Sequence, residues 1–182
     1  MFEMNWIYDE DTGRYVVKKS ARVQYPNFQG QEQDYNAAGR RNFNLRLDKA
    51  LADELSDRGV HVRTLPPRDD EDEERYLVKI GVYRDADIRL LSGKAMTNVL
   101  IENDDRGLPT SNDQGRLVDE EFRKGHVKNG EIGLEFHVSK NTRVASAAPY
   151  LRVDTMVIPI RKSRLLEDYE EYDDMDDDQF ED

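Results

Sequence analysis

The fold is decided by residues 25–48, YPNFQGQEQDYNAAGRRNFNLRLD. Within this stretch, residues 42–47 alternate between apolar and polar side chains, so that Phe43, Leu45 and Leu47 share one face and Asn44 and Arg46 the other. This period of two predicts a strand with one buried face and makes Phe43 a core residue. Asp48 then predicts the N-cap of a helix over residues 48–57, which Gly59 would end. The stretch therefore predicts a strand followed directly by a short helix.

Most of the remaining chain also has a period of two. Strands are predicted over residues 14–25, 60–65, 76–83, 87–92, 131–139 and 150–160, and a second short helix over 117–125. Many short strands with one helix early and one late predict a mainly β protein. The specific prediction is an OB-fold-like, five-stranded antiparallel barrel with one or two short helices. An immunoglobulin-like sandwich fits less well, because the helix at 48–57 interrupts the strands.

The formal net charge of −12 is unevenly distributed along the chain. Residues 167–182, EDYEEYDDMDDDQFED, carry 11 acidic residues and no Lys or Arg, which leaves 27 basic and 28 acidic residues elsewhere. A second acidic run, DDEDEE at 69–74, follows two prolines in a predicted loop. Blocks of like charge stay solvated. We therefore predict one domain over residues 1–164, followed by an acidic, disordered tail over residues 165–182.

The composition also indicates the cellular compartment. The chain has no cysteine, which excludes disulfides and thiolate metal sites and favours a reducing cytoplasm. The N-terminal residues lack the pattern of a secretory signal, and no apolar run approaches the ~20 residues that span a bilayer. We expect an intracellular, cytoplasmic protein without a membrane segment.

Catalysis has little support in the sequence. His61, His126 and His137 have no metal-ligand spacing, and neither a Walker loop nor a serine nucleophile elbow is present. Carboxylates are abundant enough for a two-metal nuclease, yet most of them lie in runs in loops and in the tail. We predict no catalytic residue, no metal and no cofactor.

The predicted strands present cations and an aromatic ring on their outer faces. Single-stranded nucleic acid requires this mixture, because cations follow the phosphates while rings stack on bases. Gly81 would leave a flat place between such side chains where a base could lie. An outward Arg or Lys can also be merely solvated, and a register slip of one residue would exchange the two faces. The predicted contacts on strands are Arg46, Lys79, Tyr83, Arg89 and Arg152.

The loop before residues 42–47 adds further candidates. Arg40 and Arg41 follow Gly39, and two arginines in one turn need an anion or several carboxylates nearby. Tyr35 lies in a polar loop with no evident core to join. Phe28, beside Pro26, either stacks on a base or plugs one end of the barrel. Phe28, Tyr35, Arg40 and Arg41 complete the predicted nucleic-acid-binding set.

These residues also carry a family resemblance. The stretch from residue 20 to residue 92 resembles single-stranded-DNA-binding proteins encoded by tailed bacteriophages. The matching positions are Asn27, Phe28, Tyr35, Asn36, Arg41, Asn42, Phe43 and Asp48. The resemblance implies an oligonucleotide-binding barrel that coats single-stranded DNA, without sequence preference, during phage DNA replication or recombination.

The resemblance also gives the tail a role. Single-strand-binding proteins commonly end in an acidic arm with a terminal or near-terminal aromatic residue, and Phe180 has that place here, although Glu181 and Asp182 follow it. The resemblance implies recruitment of replication or recombination proteins. Charge alone predicts that the arm competes with DNA for the domain's own cationic groove. The predicted partner-binding residues of the tail are Asp176, Asp177, Asp178 and Phe180.

Two other classes of protein remain as alternatives. An acidic protein could mimic DNA and occupy a host DNA-binding protein, although the acid here is concentrated in two runs. A small virion structural protein could also be a β-barrel, but it would leave the paired arginines unexplained. The oligomeric state, monomer or dimer, is left open by the sequence.

Overall fold

The computed structural model describes residues 2–68, 73–144 and 146–161. Together they form ten strands and two helices, and the strands join in one sheet. The strands are β1 Trp6–Asp9, β2 Arg14–Ala21, β3 Val23–Asn27, β4 Arg41–Leu47, β5 Arg63–Leu65, β6 Arg75–Val82, β7 Asp87–Ser92, β8 Ala95–Val99, β9 Ile132–Ser139 and β10 Tyr150–Ile160. The helices are α1 Lys49–Asp57 and α2 Gly115–Arg123. The predicted mainly β class is confirmed.

The sheet order is β1-β2-β9-β10-β6-β4-β3, with β5 beside β6 and the β7–β8 hairpin joined to β10. Most neighbouring strands are antiparallel, but β10 runs parallel to both β6 and β7. Only Arg22 separates β2 from β3 along the chain, yet β2 pairs with β9 and β3 pairs with β4. β2 and β3, which follow each other along the chain, therefore lie near opposite ends of the strand order.

The described residues contain ten strands, where the sequence predicted seven strand segments and a barrel of five. Part of the difference is a division of the first long strand, whose pairings with β9 and β4 both shift register. Lys19 and Tyr25 have positive φ angles of 47° and 52°, and such bulges bend a strand sharply. The short strands β1 and β8 account for the other two. Both β1 and β8 escaped the sequence analysis; the four residues of β1 are too few for a clear pattern, and four of the five residues of β8 are exposed.

The strand-to-helix transition forms as predicted. Phe43, Leu45 and Leu47 are buried on one face of β4. The Asp48 carboxylate accepts a hydrogen bond from the backbone N–H of Leu51 at 2.8 Å, which caps α1. Gly59 ends the helix with a φ of 87°, a conformation that suits glycine.

The strand predicted over residues 60–65 is shorter than expected and includes only β5. The N–H of Val60 bonds to the carbonyl of Leu55 at 3.0 Å and so completes the C-terminal turn of α1. The chain is therefore still leaving the helix at the point where the apolar alternation begins. In the described part of the chain, neither helix has the length and apolar character to cross a membrane.

Candidate nucleic-acid interface

A groove of about 1070 Å³ crosses the outer face of the sheet over β4, β6 and the start of β10. Asn44 of β4, Lys79 of β6 and Tyr150 of β10 belong to its lining. The loop at 28–40, between β3 and β4, borders it, as does the loop at 100–114 that precedes α2. Three strands of the sheet and two loops thus define the candidate site.

The lining of this groove is cationic. Six of the lining residues are Lys or Arg, and none of the described residues that line it is Asp or Glu. The chain as a whole has 39 acidic and 27 basic residues, so the groove departs strongly from the average surface. A polyanion would meet an attractive potential there. The six cations are Arg40, Arg41, Arg63, Lys79, Arg84 and Arg106.

Five of these cations are exposed, Arg41 being the exception. Within the described part of the chain, the side chains of these five form no ion pair or hydrogen bond. A phosphate could therefore bind them without displacing an internal partner. Arg40 and Lys79 were predicted as contacts, and the structure places both of them in the groove.

Arg41 instead lies beneath the surface. Its guanidinium pairs with the Asp113 carboxylate at 2.9 Å, and these two side chains are 1% and 5% exposed. It also donates to the carbonyl oxygen of Phe28 at 2.7 Å and to that of Glu102 at 3.2 Å, and to the Asn103 side chain. The anion that the paired arginines seemed to require is, for Arg41, a carboxylate of the protein itself. Its Nε has no partner among the described residues but is buried, so the geometry gives Arg41 a structural position and no donor that DNA phosphate could reach.

Phe28 is likewise in the interior. It is fully buried and stacks between Phe43, at 5.5 Å between ring centroids, and Phe122 of α2, at 6.2 Å. Phe28 is therefore a core residue, and its ring is not available to stack on a base. The Asp119 carboxylate of α2 holds this corner in place by accepting the N–H groups of Phe28 at 2.8 Å and Gln29 at 2.9 Å. Burial raises the pKa of Asp119, while these two hydrogen bonds act in the opposite direction.

The two loops that border the groove touch each other through glycines. Gly39 has a φ of 87°, and a Cβ atom at this position would collide with the carbonyl oxygen of Gly107. No larger residue fits this backbone contact. Arg40 and Arg106, which follow and precede these glycines, are therefore held at the same end of the groove.

The Tyr83 ring lies over Gly81, where the sequence analysis predicted a flat surface for a base. A Cβ atom on Gly81 would lie 2.7 Å from the Tyr83 ring, so the absence of a side chain at Gly81 accommodates that ring and not a base. The ring is 41% exposed and lies 6.3 Å from Tyr150. Burial, followed by Tyr150, raises the pKa of the Tyr83 hydroxyl, which keeps the ring neutral at physiological pH. An exposed neutral ring in the groove is a suitable surface for base stacking.

Arg152 does not line the groove but packs against Tyr83, which does. Its guanidinium lies 4.1 Å from the centroid of the Tyr83 ring and donates to the Asp85 carboxylate at 3.1 Å. Arg152 was predicted to contact the nucleic acid, whereas in the structure its main contact is the Tyr83 ring that it positions. Tyr35, by contrast, is 97% exposed at the border of the groove and was predicted there.

Two predicted contacts lie away from the groove. The Arg46 guanidinium packs 4.3 Å from the centroid of the Phe2 ring, at the far end of β4. Arg89 pairs with Asp87 of the same strand at 3.0 Å, on β7. Neither of them lines the groove. Their orientation on the strands was predictable, but their position across the sheet depended on the strand order.

Several lining residues escaped the sequence analysis. Arg84 follows Tyr83 directly, so its place at the end of an outward-facing strand could have identified it. Arg63 of β5 and Arg106 of the loop at 100–114 gave no such signal, because only the folded chain brings these two segments to the groove. Asn44 was read as an outward strand residue but was not given a role. The predicted tail residues Asp176, Asp177, Asp178 and Phe180 lie outside the described residues.

Comparison with known proteins agrees with this geometry. Residues 13–108 match the family model described as "Putative phage ssDNA-binding domain". The match includes more than half of the chain, so the chain belongs to this family of phage single-stranded-DNA-binding domains, as the resemblance implied. Most of the groove lining, from Tyr35 to Gly107, falls inside the match. No curated protein and no solved structure gave a match.

The different positions of Arg40 and Arg41 lead to a prediction about stability. We expect Arg41→Lys to lower the free energy of unfolding by about 3 kcal/mol, because removing one partner of a buried ion pair costs on the order of 3–5 kcal/mol and lysine can replace only part of the hydrogen bonding. The neighbouring Arg40→Lys should change it by less than about 0.5 kcal/mol. Urea unfolding followed by the fluorescence of the single tryptophan, Trp6, measures both. Equal losses for the two variants would contradict the assignment.

Proposed function

We propose that the chain binds and protects single-stranded DNA along the groove over β4, β6 and β10, without requiring a particular sequence. The observation that carries this proposal is the cationic lining, which has no carboxylate among its described residues although the chain is strongly acidic. Family membership supplies the class of ligand. Arg40, Arg63, Lys79, Arg84 and Arg106 would contact phosphates, and these contacts are independent of base identity.

The strand order supports an OB-type barrel as the frame of this site. The segment 14–27 pairs with β9 through its first half and with β4 through its second half, which would close β4, β6, β10 and β9 into a ring of five strands. OB-folds bind oligonucleotides on strands 2 and 3 and on the loops that precede strand 2 and strand 5. In this chain those elements are β4, β6 and the loops at 28–40 and 140–149. All four contribute to the groove.

Aromatic rings supply the second component of the proposed interface. Tyr35 and Tyr83 are exposed in the groove, and Tyr150 lies beside Tyr83. Stacking on such rings tolerates every base, because each base has a π-face. Cations and rings together would hold the strand as a protecting coat in phage DNA replication or recombination, within the host cytoplasm. The protein would act by binding and not by catalysis.

The acidic tail would regulate this interface. Residues 167–182 carry 11 carboxylates and no cation, and they are covalently joined to a domain whose groove is cationic. A tethered polyanion has a high effective concentration at that groove and would compete with DNA. The tail, with Phe180 near its end, would also recruit replication or recombination proteins. When DNA occupies the groove, the tail would be released for such partners.

The alternatives account for less of the molecule. A DNA mimic would present carboxylates at the spacing of phosphates, yet the groove of this domain is lined by cations. A virion structural role would leave without a purpose five cations of one groove that have no partner among the described residues. Neither alternative is favoured by an observation of its own.

Removing a groove cation should weaken DNA binding in a salt-dependent manner. We expect Arg40→Ala and Lys79→Ala each to lower the affinity for an oligo-dT and to reduce the slope of log K against log salt concentration by about 0.7, the value for one phosphate contact. Fluorescence anisotropy at several salt concentrations measures this slope. Arg89→Ala is the matched control, since it removes the same charge outside the groove. An equal effect of Arg89→Ala would refute the assignment of the groove.

Removing a groove ring should weaken binding without changing the salt slope. We expect Tyr83→Ala and Tyr35→Ala each to lower the affinity for oligo-dT by about 1–3 kcal/mol, the usual contribution of one stacked base. Tyr25→Ala is the control, because Tyr25 is 62% exposed but does not line the groove. The same anisotropy titrations provide the comparison. Wild-type affinity in both groove variants would leave stacking without support.

Deleting the tail should strengthen DNA binding. A form that ends at Leu166 should bind oligo-dT more tightly than the full chain, and the difference should shrink as salt screens the competing charges. A duplex of the same length, titrated in parallel, checks the preference for single strands. The competition model fails if the two forms bind equally well at low salt.

A further inference from the structure

Asn44 differs from the other asparagines of the groove. It is 6% exposed and lies on β4 with its side chain on the face opposite Phe43 and Leu45, which are in the core. It belongs to the groove lining, and within the described part of the chain its side-chain amide has no hydrogen-bond partner. The amide atoms themselves are open to the groove, because neither of them is among the fully buried side-chain atoms without a partner. A ligand in the groove could therefore replace water on this amide and take up its hydrogen bonds.

The other four asparagines of the lining have structural tasks. Asn36 donates to three backbone carbonyls of its own loop, and Asn42 donates to the Asn36 side chain at 2.9 Å. Asn103 accepts from Arg41, and Asn141 accepts the N–H groups of two following residues. The free amide is therefore specific to Asn44 and is not a general property of the groove.

The surroundings of Asn44 define what could bind it. Lys79 is its direct cross-strand neighbour on β6, and such neighbours have Cβ atoms about 4.5–5.5 Å apart. The ammonium of Lys79 offers donors only, whereas the Asn44 amide offers donors and an acceptor. Tyr83 directly follows β6, four residues after Lys79 and in phase with it. Its ring covers Gly81, which lies between them. A base held at Asn44 would therefore meet a donor, an acceptor, a cation and a ring.

We propose that Asn44 and Lys79 form a subsite that binds the edge of a nucleobase and prefers pyrimidines to adenine. A pyrimidine edge carries one donor and two acceptors: N3–H with two carbonyl oxygens in thymine, and the amino group with N3 and a carbonyl oxygen in cytosine. The amide would satisfy the donor and one acceptor, and Lys79 the second acceptor. The edge of adenine pairs with the amide but has no ring carbonyl for Lys79. This subsite adds a base preference to the sequence-independent binding proposed above and depends on it.

The test compares base composition in wild type and in Asn44→Ala. The ligands are oligo-dT, oligo-dC and oligo-dA of one length, and an abasic deoxyribose-phosphate oligomer. We expect the substitution to lower the affinity for oligo-dT and oligo-dC by roughly fivefold or more, the range of one bidentate base contact, and to affect oligo-dA less. Binding of the abasic oligomer and the salt slope should not change. The intrinsic stacking of oligo-dA cancels, because the comparison is a ratio between the two proteins.

Two features keep the result unambiguous. Asn44→Ala removes no side-chain hydrogen bond among the described residues, so urea unfolding should show an intact fold. If it does not, the side-chain amide resonance of Asn44 in isotope-labelled wild type provides a second readout. That resonance should shift with oligo-dT but not with the abasic oligomer. Equal losses for all three bases, or no loss, would overturn the subsite while leaving salt-dependent DNA binding intact. Absence of DNA binding by wild type would overturn the proposed function as well.

Discussion

The buried pair between Arg41 and Asp113 is the interaction on which the groove depends. The Arg41 guanidinium joins the start of β4, the loop after Phe28 and the segment that carries Glu102 and Asp113. Gly115 completes the junction, because a side chain there would collide with the carbonyl oxygen of Phe28. The loops that border the groove are thus fixed by charge and close backbone contact more than by apolar packing. Such a pair specifies a geometry more clearly than it adds stability, since desolvation offsets much of the attraction.

The separation of charge explains how an acidic chain can have a cationic groove. Asp113 and Asp119 are internal and are engaged by Arg41 and by the backbone of Phe28, so neither of them contributes a carboxylate to the groove lining. The 11 acidic residues of 167–182 are concentrated in one terminal run. Net charge therefore says little about the local potential of this protein. The sign of the potential in the groove depends on which side chains the fold engages in internal ion pairs.

The sequence predicted local structure well and lateral position poorly. Alternation in β4 and β6 correctly placed Phe43 inside and Lys79 and Tyr83 outside, because a buried face fixes the register of a strand. The same alternation could not tell that Arg89 lies outside the groove, since that depends on the pairing of β7 with β10, far along the chain. Arg40 and Arg41 are adjacent and chemically identical, yet one is exposed and the other is buried. The alternation of β4 puts Arg41 in phase with the buried Phe43, but the carboxylate that pairs with it, Asp113, lies 72 residues away and is brought there only by the fold.

For Asn44 and Gly81, the sequence predicted the face of the strand but not the role of the residue. Both were correctly placed on the outer face, but their roles follow from what the neighbouring strands place beside them. Gly81 looks like space for a base until the Tyr83 ring is found to fill it, and Asn44 looks like an ordinary solvated residue until its place in the groove, without a partner among the described residues, is known. A coat for single strands needs most of its contacts to ignore base identity. One amide open to such a groove would add a preference, because it would make hydrogen bonds with a base that the backbone contacts cannot distinguish.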